Sequence, residues 1–215
     1  MDIFRFKSFS SYKNIKHGIS TKEFGSMKDS NGRIDRENLN KFLSGLDIGP
    51  LAVCMEQLHG GNIAVVEDSS ELLIKNVDGL ITDKKNIPLA VITADCLPVL
   101  FFDQVKKVIG VAHAGRKGLE KEIIKNILQK FKTEFGSNAQ DILAGIGPGI
   151  EKKCYEVDSI LVDIAQIAIK HLINEGILIG NIENLDICTN CDSGDFYSYR
   201  RGDRTQRFAS VISLI

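Results

Sequence analysis

The chain has 215 residues, a formal net charge of −1 and an apolar fraction of 43%, which predicts a single globular domain over residues 1–215 with a substantial core. Its Lys and Arg residues are spread along the chain, which argues against nucleic acid as the main partner. No apolar stretch reaches membrane-spanning length and the N-terminus lacks a signal-peptide pattern, so we expect a cytoplasmic protein with no membrane partner.

The five cysteines are an odd number, which favours reduced thiols or metal ligands over a disulfide framework. Cys188 and Cys191 form a Cys-x-x-Cys motif without a second pair, so we predict free thiols in a turn rather than a zinc ribbon. Cys54 and Cys154 are predicted to be core thiols.

Taken in order, the chain predicts one or two short strands within residues 1–20 that end at a His17-Gly18 turn, and then a loop over residues 23–35. Apolar residues at helical spacing predict a helix over residues 36–46, capped by Asp35. Apolar runs predict strands over residues 51–55, 63–66, 78–83, 88–103, 108–112, 141–146, 182–187 and 209–215. Helical spacing also predicts a short helical turn over residues 69–74 and two long helices over residues 118–135 and 159–176.

The apolar runs 97–103 and 108–112 flank a charged turn, which is the pattern of a β-hairpin. Cys96 stands at the start of the first run and His113 at the end of the second. Because the start of one hairpin strand lies beside the end of the next, we expect Cys96 and His113 to meet in space. Small residues on both sides leave room for a ligand against the backbone.

A third residue completes the set, because His59 stands just before a Gly60-Gly61 turn at the head of another predicted strand. Three protein ligands with an open position are typical of catalytic zinc, whereas structural zinc is usually closed by four. Imidazole and thiolate also suit copper, so ligand type alone leaves copper open.

An anion site is predicted beside His113, where the helix that begins at Gly118 follows Arg116 and Lys117 directly. Helix N-termini hold free N–H groups and favour anions, phosphate included. Lys22, Arg200 and Arg201 are further candidates for the anion, although surface ion pairs explain the two arginines equally well. Asp95 and Glu156 are candidates for moving protons, with a plain strand-edge carboxylate as the alternative for Asp95.

Several short motifs occur in the order found in one known family. They are Gln57-Leu58-His59-Gly60, Asp78-Gly79, Thr93-Ala94-Asp95-Cys96-Leu97-Pro98-Val99, His113-Ala114-Gly115, Gly147-Pro148, Cys154-Tyr155-Glu156-Val157, Cys188-Thr189 and Phe196-Tyr197-Ser198-Tyr199-Arg200-Arg201. Over nearly its whole length the chain resembles the YfiH family, also called multicopper polyphenol oxidases (laccase-like) or peptidoglycan editing factor proteins, whose members have been assigned as purine nucleoside phosphorylases.

The resemblance implies an α+β fold, a layered α/β/β/α sandwich with mixed sheets. It implies a metal, usually zinc, at His59, Cys96 and His113. It also implies phosphorolysis of adenosine- or inosine-type nucleosides, with an adenosine deaminase side activity, so the expected partners are a purine nucleoside and phosphate. The chain departs from the family pattern at Lys22, where the family has Arg and bidentate phosphate binding is lost, and at Arg116, where the family has Trp.

Three other functions stay open from the residues themselves. A copper-dependent polyphenol oxidase of the laccase type needs many histidines for several coppers, and this chain has four. A cysteine hydrolase acting on peptidoglycan precursors needs only Cys96 as nucleophile and His113 as base, together with an oxyanion site. A non-catalytic binding module would leave the open fourth position of the metal site unexplained.

Overall fold

The computed structural model describes residues 1–215 as two β-sheets packed face to face, with helices on both outer faces. The strands are β1 (Ile3–Phe4), β2 (Ile15–Ser20), β3 (Cys54–Met55), β4 (Ile63–Val65), β5 (Leu73–Ile74), β6 (Gly79–Thr82), β7 (Leu89–Thr93), β8 (Leu97–Asp103), β9 (Val108–Ala114), β10 (Ile142–Ile146), β11 (Glu156–Val157), β12 (Ile160–Leu161), β13 (Ile182–Asn184) and β14 (Phe208–Leu214). The helices are α1 (Lys7–Ser10), α2 (Arg36–Gly45), α3 (Arg116–Glu120), α4 (Ile123–Phe135) and α5 (Ile164–Asn174).

The two large sheets differ in strand direction. The four-stranded sheet has the order β1-β2-β14-β7 and is antiparallel throughout. The six-stranded sheet has the order β13-β10-β8-β9-β6-β4 and is mixed, because its outer pairs β10/β13 and β4/β6 are parallel. Two small two-stranded sheets, β3/β5 and β11/β12, lie outside them.

Three apolar clusters hold these layers together. A cluster of 21 buried residues, with Phe102 and Phe208 among them, draws on both large sheets. A second cluster joins α4 and α5 to the six-stranded sheet. A third cluster joins α2, through Phe42 and Leu43, to Ala90 and Val211 of the four-stranded sheet. The layers therefore follow the order α/β/β/α, which confirms the predicted α+β class with mixed sheets.

The predicted hairpin is confirmed. β8 and β9 are antiparallel partners, with Pro98 opposite His113 and Leu97 opposite Ala114. The prediction of one continuous strand over residues 88–103 is wrong, because β7 belongs to the four-stranded sheet and β8 to the six-stranded one. The chain changes sheets at Ala94-Asp95-Cys96, where Asp95 has the left-handed φ of 83°. This change of sheet opens the space that Cys96 faces.

Both predicted long helices differ from the structure, the first by an internal break and the second by a later start. The segment 118–135 is two helices, because Glu122 takes a left-handed φ of 58° between α3 and α4. The segment 159–176 is helical only from Ile164, where Asp163 caps the N-terminus by accepting a hydrogen bond from the Gln166 N–H. Ile160 and Leu161, which lie within the predicted helical segment, instead form β12 and pair with β11.

Two smaller predictions also need correction, while one is confirmed. Residues 69–74 end in β5 rather than in a helical turn. His17 and Gly18 lie inside β2 and do not form a turn. The helix α2 begins as predicted, since the Asp35 side chain accepts a hydrogen bond from the Asn38 N–H. None of the helices is long and apolar enough to cross a lipid bilayer.

Candidate metal centre and its cavity

The chain turns that separate the two sheets surround a cavity of about 820 Å³. Its walls come from the loop after β3, the β7–β8 turn, the end of β9, the start of α3 and the loops before β11 and β14. The lining residues are Lys28, Gln57, Leu58, His59, Ile92, Thr93, Ala94, Asp95, Cys96, His113, Arg116, Lys117, Ile150, Tyr155, Val157, Ile164, Tyr199, Arg200, Arg204 and Arg207. A volume of this size is typical of small-molecule sites.

The structure brings His59, Cys96 and His113 together at one end of the cavity. One ligand atom of each residue lies within 4.8 Å of the other two, and the two imidazole rings meet edge to face with centroids 4.7 Å apart. His113 is buried, Cys96 is half-buried and His59 is exposed, so the group opens toward the cavity. Two imidazole nitrogens and one sulfur in this arrangement fit a zinc ion with an open fourth position.

Asp78 organises two of the three ligands. One of its carboxylate oxygens lies 2.9 Å from His113 Nδ1. The carboxylate also accepts hydrogen bonds from the backbone N–H groups of Leu58, His59 and Gly60 at 2.7–3.1 Å. The loop that carries His59 is thereby tied to the strand that carries His113, and His113 Nε2 is left free to face a metal.

Gln57 fixes the other side of the same loop. Its side-chain amide donates to the Ile92 carbonyl at 2.7 Å and accepts from the Ile92 N–H at 3.0 Å. Gln57 and His59 both take a left-handed φ, of 64° and 58°. Non-glycine residues hold this conformation when surrounding contacts compensate for its cost, and here the Asp78 and Ile92 contacts do so.

The ionisation of Cys96 and His113 is coupled. Burial raises the pKa of the Cys96 thiol, but the charge and hydrogen bonds of His113 and His59 outweigh burial and bring this pKa down to about 6. Burial lowers the pKa of His113, but Cys96 and Asp78 outweigh it and raise this pKa to about 9. Without a metal the pair is therefore a thiolate beside an imidazolium at neutral pH.

The rest of the cavity is strongly cationic, although the chain as a whole is nearly neutral. Six positive side chains line it, namely Lys28, Arg116, Lys117, Arg200, Arg204 and Arg207. Only Arg116 has a carboxylate partner within 4.0 Å, the exposed Glu120. Asp95 is the one acidic side chain in the lining. Uncompensated positive charge in a concave site attracts anions.

Asp95 lines the cavity, but both of its carboxylate oxygens already accept hydrogen bonds. One accepts from the Thr189 hydroxyl and the other from the Arg200 backbone N–H, each at 2.7 Å. The carboxylate therefore holds the Arg200 loop in place. Arg200 in turn lies over the Tyr155 ring, with its guanidinium carbon 5.4 Å from the centroid, and donates to the Glu156 carbonyl.

Of the residues predicted to bind an anion, Arg116, Lys117 and Arg200 line the cavity, whereas Lys22 and Arg201 do not. Lys22 lies over the Tyr197 ring and donates to the Ser193 carbonyl. Arg201 donates to the carbonyls of Thr189 and Phe196 and pairs with Asp203. These two cations hold the loop between β13 and β14 together. Glu156 lies in β11, outside the lining.

Four contributors were missed from the sequence. Asp78 carried a weak signal, a carboxylate directly before an apolar strand, but nothing local showed that it would face His113. Lys28, Arg204 and Arg207 come from irregular segments with no periodicity to place them. Burial lowers the pKa of Lys28, as does the nearby charge of Arg207, so these two cations lie close together in the wall.

Comparison with known proteins gives consistent matches over most of the chain. The family model described as multi-copper polyphenol oxidoreductase laccase matches residues 16–162 and 158–215. A purine nucleoside phosphorylase of Clostridium acetobutylicum is 34% identical over 232 residues, with 95% of each chain covered. The purine nucleoside phosphorylase YfiH of Escherichia coli is 31% identical over 202 residues, covering 83% of this chain and 80% of that protein.

Another relative is matched over a shorter segment. The purine nucleoside phosphorylase YlmD of Bacillus subtilis is 34% identical over 166 residues, which cover 66% of this chain and 60% of that protein. Two solved structures share the fold. A hypothetical protein YfiH of Bacillus licheniformis superimposes with a TM-score of 0.88 at 28% identity, covering 99% of this chain and 96% of that one. YlmD of Geobacillus stearothermophilus gives a TM-score of 0.87 at 25% identity, covering 100% and 96%.

Proposed function

We propose that this chain, which belongs to the YfiH-type family of multi-copper polyphenol oxidoreductase laccases, is a purine nucleoside phosphorylase with a metal ion held by His59, Cys96 and His113. One observation carries the proposal. The same cavity contains the three-residue ligand set and six cationic side chains, five of them without a carboxylate partner. A reaction that joins a phosphate dianion to a neutral nucleoside needs cationic groups for the anion, and a metal ion beside them would supply a Lewis acid for the nucleoside.

The walls of the cavity suit the two substrates differently. Apolar side chains such as Leu58, Ile92 and Ile150 offer a surface for a purine base. The guanidinium and ammonium groups of the same lining offer the charge-assisted hydrogen bonds that phosphate needs. We place the phosphate among Lys28, Arg204 and Arg207, because these cations lie close together in the wall. The charge of Arg207 acts on Lys28, and the Arg204 and Arg207 guanidinium groups both lie over the Tyr199 ring.

Zinc fits the ligand set. His113 uses Nδ1 for Asp78 and keeps Nε2 for a metal, and Asp78 fixes the orientation of this imidazole as carboxylates commonly do behind zinc ligands. When bound, zinc would supply a Lewis acid that polarises a substrate oxygen or nitrogen. The lowered pKa of Cys96 keeps the sulfur in the thiolate form that binds metal at neutral pH.

This chain has too few histidines near the cavity to bind a cluster of several coppers, although the family is described as multi-copper. Of the four histidines, His17 lies buried in β2 and accepts a hydrogen bond from the Phe6 N–H, and His171 lies on α5 outside the cavity. Two histidines and one cysteine remain. A single copper fits this set as well as zinc does, so copper is the alternative cofactor and phenol oxidation the alternative reaction.

In phosphorolysis a phosphate oxygen forms a bond to the ribose C1′ while the bond from C1′ to the purine nitrogen breaks. The electron pair of that bond leaves with the purine, which takes up a proton. The cationic side chains hold and orient the nucleophile, and the apolar wall excludes competing water. Asp95 contributes by holding Arg200 at the cavity, since both carboxylate oxygens are occupied.

An adenosine deaminase side activity belongs to the same proposal. Water in place of phosphate attacks C6 of the purine, ammonia leaves, and the glycosidic bond stays intact. The two reactions share the cavity but differ in their need for phosphate. Phosphorolysis of adenosine gives adenine and ribose 1-phosphate, whereas deamination gives inosine with or without phosphate.

A second candidate rests on the ionisation of Cys96. A thiolate next to a protonated imidazole is the resting state of many cysteine hydrolases. Such an enzyme would act on an acyl or amide substrate, for example a peptidoglycan precursor, and would work without metal. It would give His59 no necessary role.

The deciding experiment measures zinc and copper content of the purified chain and its turnover of adenosine with phosphate, before and after chelation. We expect about one metal ion per chain at this site and formation of adenine that requires both metal and phosphate. His59→Ala should abolish metal binding at this site and turnover together. His171→Ala is the matched control, because it removes a histidine outside the cavity and should change neither.

Two results would overturn the proposal. The first is full phosphorolysis by a metal-free His59→Ala protein. The second is turnover of an acyl or amide substrate that persists after chelation and stops when Cys96 is alkylated, which would establish the cysteine hydrolase instead.

A further inference from the structure

A second group of metal-binding side chains lies outside the cavity lining. The sulfur atoms of Cys154, Cys188 and Cys191 all lie within 4.8 Å of one another, and those of Cys154 and Cys191 are 3.4 Å apart. All three thiols are free. The sequence pattern predicted Cys154 as a core thiol, which is wrong, because Cys154 is half-buried beside the exposed Cys191.

The spacing of the three sulfurs suits a single ion. Two cysteine sulfurs bound to one tetrahedral zinc at about 2.3 Å lie roughly 3.8 Å apart, and the spacing observed here needs only small side-chain adjustments to reach that value. The sequence has no second Cys-x-x-Cys motif, but the fold brings Cys154 to the Cys188/Cys191 motif as a third sulfur. Cys154 comes from the short helical turn before β11, 34 positions before Cys188 in the sequence.

The backbone around Cys188 is arranged to support a thiolate. The backbone N–H groups of Glu151, Asn190 and Cys191 donate hydrogen bonds to its sulfur. The turn is closed by a 2.8 Å hydrogen bond from the Asp192 N–H to the Cys188 carbonyl. Backbone N–H groups directed at a sulfur stabilise its negative charge, which is the form that binds metal.

The cluster joins two segments that form the cavity wall. Cys154 precedes Tyr155, which lines the cavity beneath Arg200. Cys188 precedes Thr189, whose hydroxyl binds the Asp95 carboxylate next to Cys96. An ion bound to both cysteines would cross-link these segments from behind the wall.

We propose that Cys154, Cys188 and Cys191 form a second metal site, a three-thiolate site for a soft cation such as Zn²⁺ or Cu⁺, that fixes the wall of the cavity. Thiolates select these ions over hard cations such as Mg²⁺. Cys191 is exposed, so the remaining coordination position faces solvent and takes a water molecule or a small external ligand. The site shares no ligand with His59, Cys96 and His113.

Cobalt(II) is the probe, because it replaces zinc and shows a thiolate-to-cobalt charge-transfer band in the near ultraviolet. The experiment uses the full chain with Cys96→Ser, which removes the only sulfur of the first site. This protein should still bind cobalt with the thiolate band. Cys96→Ser/Cys191→Ser should lose the band and one bound ion per chain, whereas Cys96→Ser/Cys54→Ala should keep both, since Cys54 lies in the core near Arg36.

The readouts are absorption and ion count, so the proposal stands or falls independently of nucleoside turnover. Absence of the thiolate band from the Cys96→Ser protein, with four reduced thiols per chain confirmed by titration, would overturn it. A disulfide between Cys154 and Cys191 that forms in the presence of saturating zinc would also overturn it, and would make the cluster a redox pair. Serine at the exposed position 191 leaves the core intact, which unfolding in urea verifies.

Discussion

Two histidines of this chain are buried to the same degree, each 4% exposed, but in opposite surroundings. In β2, burial and the charge of Arg5 lower the pKa of His17 to about 4, and its Nε2 accepts a hydrogen bond from the Phe6 N–H. In β9, burial acts in the same direction, but Cys96 and Asp78 outweigh it and raise the pKa of His113 to about 9. Burial alone therefore does not separate a structural histidine from a functional one.

The difference lies in what faces each ring. His17 packs against the rings of Phe6 and Phe9, with centroids 5.8 and 5.2 Å away, so a positive charge there would be poorly solvated. His113 has a carboxylate on one side and a thiolate on the other, and its ring edge meets a cavity. The first environment fixes a neutral acceptor, and the second can hold a proton or a metal ion. The following predictions test this contrast.

The largest expected effect concerns the thiol beside His113. In chelated protein at pH 7, Cys96 should react with iodoacetamide on the order of a hundredfold faster than Cys191, even though Cys191 is the more exposed. The pKa of Cys96 is lowered to about 6, while hydrogen bonds to Cys154 and Cys188 raise that of Cys191 to about 12. The higher nucleophilicity of the more basic thiolate offsets only part of this difference. Mass spectrometry of the two cysteine peptides over time gives both rates.

Zinc added before the reagent should protect Cys96. Equal alkylation rates at Cys96 and Cys191 in the chelated protein would mean that His113 does not stabilise the Cys96 thiolate. The proposed difference between His113 and His17 would then be wrong.

Asp78→Asn should weaken zinc binding at His59, Cys96 and His113 by about 10- to 100-fold, the usual cost of losing a carboxylate behind a metal-bound histidine. The substitution removes the negative charge at His113 Nδ1 and weakens the hold on the His59 loop. Competition titration with a chromogenic chelator measures the change. Asp103→Asn is the matched control, a buried aspartate that accepts from the Val105 and Lys106 N–H groups in the β8–β9 turn.

Zinc affinity that falls equally in both variants would point to a general loss of structure in the six-stranded sheet. The prediction requires that the effect be confined to Asp78.

Protonation of His17, the neutral histidine, should make the unfolding free energy depend on pH, by about 2 kcal/mol between pH 7 and pH 5. Because the folded-state pKa of His17 is lowered to about 4 from 6.5, the unfolded chain binds more protons between these two pH values. Stability is therefore present above pH 6.5 and is lost as the pH falls toward 4. Between pH 7 and pH 5 the His17→Gln protein should lose about 2 kcal/mol less of its unfolding free energy than the parent chain.

Glutamine keeps an acceptor for the Phe6 N–H but does not titrate, so it isolates the protonation effect. Urea unfolding at the two pH values, with chelator present throughout, measures it. An identical pH dependence in both proteins would contradict the neutral, buried state of His17.

The hairpin was predictable from the sequence because it depends on local patterns, whereas the order of the layers was predictable only through the family resemblance. Apolar alternation and a charged turn define β8 and β9, and this pairing alone brings Cys96 near His113. The breaks in the long elements were not predictable. Asp95, Glu122 and Ser159 take left-handed conformations that ordinary propensities disfavour. For Asp95, hydrogen bonds from Thr189 and Arg200, in a distant part of the chain, hold this conformation.

The charge of the cavity was predicted only in part, for the same reason. Arg116 and Lys117 follow His113 directly, so sequence proximity placed them. Lys28 and Arg207 reach the cavity because the Met27 N–H donates to the Arg207 carbonyl, which aligns two segments 180 positions apart. No local pattern encodes such a contact. His17 and His113 each have a glycine within two residues, so this local feature does not distinguish them.

The smallest expected change in stability tests how closely the backbone approaches the ligand set. Gly115 is the N-cap of α3 and has an extended conformation with a φ of −83° and a ψ of 170°, which alanine also adopts, so Gly115→Ala adds only a steric effect. Its Cβ would lie 2.5 Å from Cys96 Sγ and 3.4 Å from His59 Cδ2. Because the sulfur is the end of a side chain that can rotate, the cost in unfolding free energy should be about 1 kcal/mol, the low end for overpacking. That rotation moves the sulfur away from the imidazoles, so zinc affinity should fall while the pH response of His17 stays unchanged.

Gly49→Ala, where an added Cβ meets no atom within 4 Å, should alter neither the unfolding free energy nor the zinc affinity. Unchanged zinc affinity in Gly115→Ala would show that Cys96 does not bind the metal, and His59 and His113 would have to hold it without a thiolate.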